Sequence, residues 1–253
     1  MNAPLIVDWV AEVVFCLAGD NPPREHLDMG AGLGDLIKRL RTQFPAMKSW
    51  ALDYNPSNFS LKDVPIAHAD FSLDRLPFED GKFDLVTCTE VVEHLENFRH
   101  ALREAARVVR PGGLLVVSTP NIISMKSRWA FLTRGLFTHF DPLPLKDDTR
   151  MYPGGRHITP IPFFHLAHAL RDCGLVQIEM HTDRTQRSSA TWAFFLRPFL
   201  RAATRRNVRR RRKRFFALPE EMEELGARHN SWTALTGRTL IVSARKAGAA
   251  ATS

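Results

Sequence analysis

An apolar run of strand length that ends in three glycines at alternate positions, then passes straight into a helical pattern, leaves a chain few ways to fold. Here the run is His26-Leu27-Asp28-Met29, the glycines are Gly30, Gly32 and Gly34, and a helical period spans 34–43. Glycine tolerates positive φ and close approach of a ligand, and a helix start offers unpaired N–H groups, so the segment reads as a binding turn. A glycine-rich turn that binds nothing is the alternative. The same alternation recurs along the chain. Helices are expected at 6–17, 97–109 and 162–173, the last stopped by Gly174, and strands at 49–52, 65–69, 83–88, 114–118, 175–181 and 239–243, with a turn at Pro111-Gly112-Gly113. This pattern predicts an α/β fold with a parallel sheet covered by helices on both faces.

The 253 residues, 44% of them hydrophobic, suffice for one substantial core. No uninterrupted apolar run reaches about 18 residues, and the N-terminus lacks a secretory pattern, so a cytoplasmic location is expected. Cys16, Cys88 and Cys173 are far apart and sit in apolar surroundings, as buried hydrophobes do.

Three acids give the turn its chemistry. The glycine spacing is G-x-G-x-G rather than G-x-G-x-x-G, and Asp28 stands two residues before the first glycine, where it would repel pyrophosphate and suit a cationic amino-acid end. Asp53 ends the second strand, where a carboxylate can accept from both hydroxyls of a ribose; a helix cap or Asx turn before Pro56 is the alternative. Asp70 follows the third strand and could accept from an adenine amino group, with Phe71 lining the base pocket; a solvated loop acid is the alternative. In a doubly wound sheet, all three strand ends open on one crevice.

These segments, with Leu76-Pro77-Phe78, the run from Phe83 through Thr89-Glu90-Val91-Val92-Glu93-His94-Leu95, and Arg107-Val108-Val109-Arg110-Pro111-Gly112-Gly113, resemble the class I S-adenosylmethionine-dependent methyltransferases of the ubiquinone/menaquinone-biosynthesis and general small-molecule type. The resemblance is close from residue 25 to about 121, looser over 156–181, and absent over 182–237. It implies a Rossmann-like sheet of seven strands with the last antiparallel, and S-adenosyl-L-methionine as cofactor. It further implies that Asp28, Gly30, Ala31, Gly32 and Gly34 face the methionine end, Asp53 and Tyr54 the ribose, Asp70 and Phe71 the adenine, and Thr89 and Glu90 the sulfonium.

A sulfonium methyl is already activated, so the protein chiefly positions the acceptor, a small-molecule, lipid-linked or glycan-linked group, with oxygen the expected atom. A base would help an acceptor hydroxyl; His94, His157 and Glu90 are the candidates, and Glu93 is either a further base or the cap of its turn. His94 could equally be a helix-start histidine bonded to backbone, and His157 a plain loop histidine. The sequence offers no visible histidine–carboxylate cluster with ligand spacing, so no metal is expected.

The net charge of +8 is concentrated: nine of the fourteen residues 201–214 are Lys or Arg, next to Trp192, Phe194, Phe195 and Phe199. A peripheral contact with an anionic membrane at its inner face, a solvated helix over the site, and an RNA contact are the three readings; nucleic acid is disfavoured because Thr89-Glu90-Val91-Val92 lacks the pattern that stacks a flipped base. A cofactor-binding fold kept as a non-catalytic interaction module also stays open. The expected organisation is a Rossmann-like domain over 1–182 plus 238–247, a helical basic insertion over 183–237 serving as lid or membrane contact, and a tail at 248–253. The insertion is expected to hold at least two helices, one starting at Pro219, with the arginines between them.

Overall fold

The structure, a computed structural model, describes residues 5–142, 156–214, 224–226 and 228–248. Strands β1 (Glu25–Met29), β2 (Lys48–Asp53), β3 (Ile66–His68), β4 (Phe83–Thr89), β5 (Val109–Pro120), β6 (Leu175–Thr182) and β7 (Thr239–Lys246) form one sheet in the order β3-β2-β1-β4-β5-β7-β6. β1 to β5 pair in parallel, and β7 is antiparallel to both β5 and β6, as the resemblance implied. The Pro111–Gly113 turn lies inside β5 as a bulge. Phe83 pairs with Val109 and Leu85 with Leu114, so β5 advances five residues against two of β4, and Gly112 takes φ +77° there.

Helices α1 (Ile6–Ala18) and α2 (Asp35–Arg41) cover one face of the sheet, and α3 (Phe98–Val108) and α5 (Phe163–Asp172) the other. β5 shows why its run is apolar throughout. Leu114 and Val116 pack with Val10, Val14 and Leu40 on one side, while Leu115 and Val117 pack with Ala105, Phe163 and Leu166 on the other, the period-two alternation of a strand buried on both faces.

After β5 comes α4 (Met125–Arg134), which the sequence did not disclose; Ser124 caps its start by accepting from Ser127 N–H, and Gly135 ends it at φ +71°. Between β6 and β7 run α6 (Arg187–Arg214) and α7 (Trp232–Thr236). The arginines expected between two helices form instead the C-terminal half of α6, which continues through Pro198. The proline removes one helical bond on an exposed stretch, where water can take the freed carbonyl. Residues 224–226 are helical, and the start expected at Pro219 lies outside the described residues.

β6 ends and β7 begins at the carboxyl edge of the parallel strands, so the insertion stands over that edge. It is docked by Met125, Ala193, Leu200 and Leu235, by Asn121 Nδ2 donating to the carbonyls of Ala234 and Gly237 (2.9 Å each), and by Arg128 donating to Asn230 Oδ1 (2.7 Å). Among the described residues no helix is long and apolar enough to cross a membrane. Leu115 is fully buried at the centre of the sheet, and Leu115→Ala should lower the free energy of unfolding by about 2–5 kcal/mol in urea titrations; a loss under about 1 kcal/mol would mean the core closes around the gap.

Candidate active site

The parallel pairing brings the ends of β1, β2, β3 and β4 to one edge, with Asp28 opposite Ala51 and Thr87, and Asp53 opposite His68. The glycine turn is fastened to the end of β2. Gly30 and Ala31 N–H both donate to the Leu52 carbonyl (2.8 and 3.2 Å), Gly32 N–H donates to Asp53 Oδ2 (2.9 Å), and Gly34 N–H to the Ala31 carbonyl (2.8 Å). All four amides are satisfied within the protein, so the turn offers a contact surface rather than a nest of free N–H groups for phosphate. The glycines serve different ends. A Cβ on Gly30, at φ +79°, would lie 2.2 Å from Val91 Cγ2, whereas around Gly32, at φ +51°, nothing lies within 4 Å. Gly30 lets the segment after β4 close on the turn, and Gly32 leaves room above it.

Asp53 is half-buried; besides Gly32 it accepts from Asn55 N–H through Oδ1 (2.8 Å), the Asx-turn contact weighed as its alternative. Asp28 is buried and accepts from the Thr87 hydroxyl (2.8 Å). With that hydroxyl turned to Asp28, Nε2–H of His26 donates to Thr87 (2.8 Å) and Nδ1 accepts from Ser49 (3.3 Å). Burial, then the charge of Arg41, holds His26 down to about 3, so it stays neutral. Burial raises Asp28 to about 7, against the Thr87 bond and with help from Asp53. Asp70 accepts from Ser72 N–H (2.9 Å). Phe71 is 4% exposed and belongs to the main core, so its ring is a wall of the core and has no open stacking face. Tyr54 is exposed and meets His68 edge-on at 5.1 Å. Ala31 is buried under the turn with Ile37 and Val64.

Past Thr89, whose buried hydroxyl has no hydrogen-bond partner among the described residues, the chain turns sharply. Glu90 takes φ +54°, outside the usual range for a side-chain-bearing residue, and its main-chain N–H donates to Ser118 while the Ser118 hydroxyl donates back to Glu90 Oε1 (2.9 Å). Burial raises Glu90 to about 7. A 3-10 turn, Val92–His94, follows. Glu93 does not cap this turn with its side chain. Its carboxylate is fully buried with no hydrogen-bond partner among the described residues, and burial, then the charge of Glu90, pushes it well above the carboxylate range. His94 Nδ1–H donates to the Arg156 carbonyl and His157 Nδ1–H to the His139 carbonyl, both at 2.8 Å. The two rings stand 4.9 Å apart, and burial, then His94, lowers His157.

The expectation that no histidine–carboxylate cluster lies at this crevice is thereby corrected: Glu93, His94 and His157 present donor atoms within 4.8 Å of one another. Sequence spacing hid the set because 63 residues separate His94 from His157. Ser118 and Val91, which shape the turn after β4, also carried no signal of their own. A second cleft, of about 1050 Å³, opens at the opposite edge and is lined by Asp20, Glu25 and Asp84, the last engaged by the N–H groups of Arg24 and Glu25 and by Arg110.

Residues 3–180 match the family model described as a methyltransferase domain. The chain belongs to that family, and its architecture is that of the class I methyltransferases, whose cofactor is S-adenosylmethionine. It is 29% identical over 175 residues to a malonyl-[acyl-carrier protein] O-methyltransferase of Hahella chejuensis, covering 66% of this chain and 56% of that protein. It is 35% identical over 116 residues to the ubiquinone/menaquinone biosynthesis C-methyltransferase UbiE of Cupriavidus metallidurans, covering 41% and 47%. The aligned part spans about half the length of the curated relatives. A crystal structure of a SAM-dependent methyltransferase from Archaeoglobus fulgidus superposes with a TM-score of 0.57 over 95% of this chain and 94% of that one, at 15% identity, a likeness of fold.

Asp28 gives the site a measurable signature. Its folded pKa, about 7, exceeds the unfolded value of 3.8, so between those pH values the unfolded chain sheds a proton that the folded chain keeps, and this group weakens the fold as pH rises. Asp28→Asn should therefore gain stability relative to the parent on going from about pH 4 to about pH 7 in denaturation at a series of pH values. A difference that does not change with pH would refute the buried-acid assignment.

Proposed function

We propose that the protein transfers the methyl group of S-adenosylmethionine to an oxygen of a small-molecule, lipid-linked or glycan-linked acceptor. The observation that carries this is the crevice over the glycine turn: acids at the ends of three successive strands, around a turn in which the N–H groups of Gly30, Ala31, Gly32 and Gly34 are already satisfied. The donor set fits the cofactor. Asp53 keeps a second lone pair on each oxygen for the two ribose hydroxyls. Asp28, Gly30, Ala31, Gly32 and Gly34 serve the methionine end, where an ammonium group would draw the raised Asp28 into its charged form. The open space at Gly32 suits that approach, Asp70 and Tyr54 flank the adenosine, Phe71 backs it from within the core, and the unpartnered Thr89 hydroxyl offers a bond beside the sulfur.

The cofactor supplies an activated methyl; the chain binds, orients and excludes water. Glu90, held by Ser118 on its strained backbone, is the candidate to take a proton from an acceptor hydroxyl. His94 and His157 turn Nε2 toward Glu93, three residues further along the same turn. Relatives are named for O- and for C-methylation, and the carboxylates and imidazoles at the crevice favour oxygen.

The insertion, residues 183–237, would roof the acceptor site and meet an anionic membrane from the cytoplasmic side. Trp192, Phe195 and Phe199 are exposed and lie at i, i+3 and i+7 on α6, with Trp192 stacked on exposed Trp129 of α4 at 6.1 Å; Arg201, Arg205, Arg206 and Arg210 follow, also exposed. Aromatics beside arginines suit a headgroup boundary, each arginine contributing about 1 kcal/mol at an anionic surface.

Asp53→Ala should weaken binding of S-adenosylmethionine and of its demethylated product by roughly ten- to hundredfold in calorimetry; unchanged affinity would remove the ribose assignment. In co-sedimentation with phosphatidylglycerol vesicles, binding should fall with salt and with glutamine at Arg205, Arg206 and Arg210, and fall at every salt concentration in Trp192→Ser/Phe199→Ser. Equal sedimentation of all these proteins would remove the membrane reading, and a salt-sensitive gel shift with RNA would replace it.

A further inference from the structure

Glu93 and His94 belong to the 3-10 turn after β4, and His157 arrives from a separate segment, held because Ile158 and Thr159 N–H both donate to the Glu93 main-chain carbonyl at 2.9 Å. One Glu93 carboxylate oxygen lies 4.0 Å from His94 Nε2 and 3.9 Å from His157 Nε2. These separations are too long for hydrogen bonds, and the ring orientations show why none forms. Each Nδ1–H is committed to a backbone carbonyl, which leaves the lone pair of a neutral imidazole at Nε2. The three groups converge, and neither imidazole supplies a proton toward the carboxyl group. The carboxylate among them is fully buried, and neither of its oxygens has a hydrogen-bond partner among the described residues.

We propose that Glu93, His94 and His157 bind a divalent transition-metal ion. Two imidazoles and one carboxylate are the donors that zinc, manganese and iron(II) take. Ligands about 2.1 Å from such an ion stand about 3.0–3.5 Å apart, so the carboxylate–imidazole gaps of 4.0 and 3.9 Å need to close by about half to one ångström, within a donor set that spans no more than 4.8 Å. The carbonyls of Arg156 and His139 already fix the tautomer and ring direction, as the outer partners of metal-bound histidines do. A buried carboxyl group with no hydrogen-bond partner among the described residues is costly in the fold, and a dication that displaces its proton resolves that cost. A structural role for the ion fits poorly, since three protein ligands leave coordination positions open, and the partly exposed imidazoles lie on the solvent side of the cluster.

The place of the cluster gives those open positions a use. Val91, two residues before Glu93, packs on Gly30 of the cofactor turn, so the ion would sit beside the proposed methyl donor and hold an acceptor through oxygen, as a hydroxyl or carboxylate. That use rests on the methyl-transfer reading; uptake of the ion does not.

The test is metal binding by the full chain without cofactor. After chelation and gel filtration, the protein is titrated with zinc, manganese or cobalt(II) alone and followed by calorimetry, with cobalt(II) absorption and X-ray absorption of the zinc form to read the ligands. One ion per chain is expected, with two imidazoles in its shell, and Glu93→Gln or His157→Ala should weaken binding on the order of 100-fold or more while the circular dichroism spectrum is kept. Should those variants fail to fold, the X-ray absorption of the parent protein decides alone. A folded parent that takes up none of the three metals, or an ion whose shell lacks imidazole, overturns the site. Calorimetry with S-adenosylmethionine on the same preparations separates the two readings: cofactor binding without metal uptake removes the metal site only, and metal uptake without cofactor binding upholds it while removing the methyl-transfer reading.

Discussion

The Leu52 carbonyl, which receives the N–H groups of both Gly30 and Ala31, fastens the glycine turn to the end of β2, and the rest of the crevice depends on that attachment. It spaces Asp53 so that one of its oxygens reaches Gly32, and it fixes Gly30 where only hydrogen leaves space for Val91. Val91 in turn sets the path out of β4, where Glu90 accepts a left-handed backbone and the 3-10 turn begins. A single acceptor at the end of one strand thereby ties the loops after β1, β2 and β4 into one rigid rim. Binding groups held in that way lose little freedom when a ligand arrives.

On the far side of the rim a second carbonyl does comparable work. The main chain of Glu93 accepts from Ile158 and Thr159, and this bond pair, rather than any pairing in the sheet, holds the segment before α5 against the turn that follows β4. The side chain of the same residue has no donor among the described residues. Backbone satisfaction and side-chain frustration meet in one residue, a combination that proteins retain at working sites more readily than in their cores.

What was legible in the sequence divides along the same physical lines. β4 and β5 were readable because strands covered on both faces carry apolar residues on successive positions, as Leu85-Val86 and Leu114–Val117 do, and the turn at Gly30 was readable because positive φ and close packing leave glycine as the residue that fits. Asp28 and Asp53 could be placed because strand ends are set by the chain itself. α4 was missed since Trp129, Phe131 and Leu132 point to solvent and blur the helical period on which such readings rely. α6 was cut short because Pro198 and the charge run mask a helix that continues through both. The cluster of Glu93, His94 and His157 was illegible for a different reason: it depends on long-range hydrogen bonds between backbone groups, which every residue possesses and no side chain announces.

The reversed strand β7 has a consequence for how such a protein can diversify. Because β6 arrives at the carboxyl edge of the sheet and β7 departs from it, the segment between them leaves and re-enters at neighbouring points, and Thr185 and Gly237 are bridged there. A chain closed on itself in this way can grow or shrink at little entropic expense, each doubling of length adding only about 0.6 kcal/mol. The sheet and the glycine turn need not register the change. Length and sequence can therefore drift through that one excursion while the sheet beneath it stays constant.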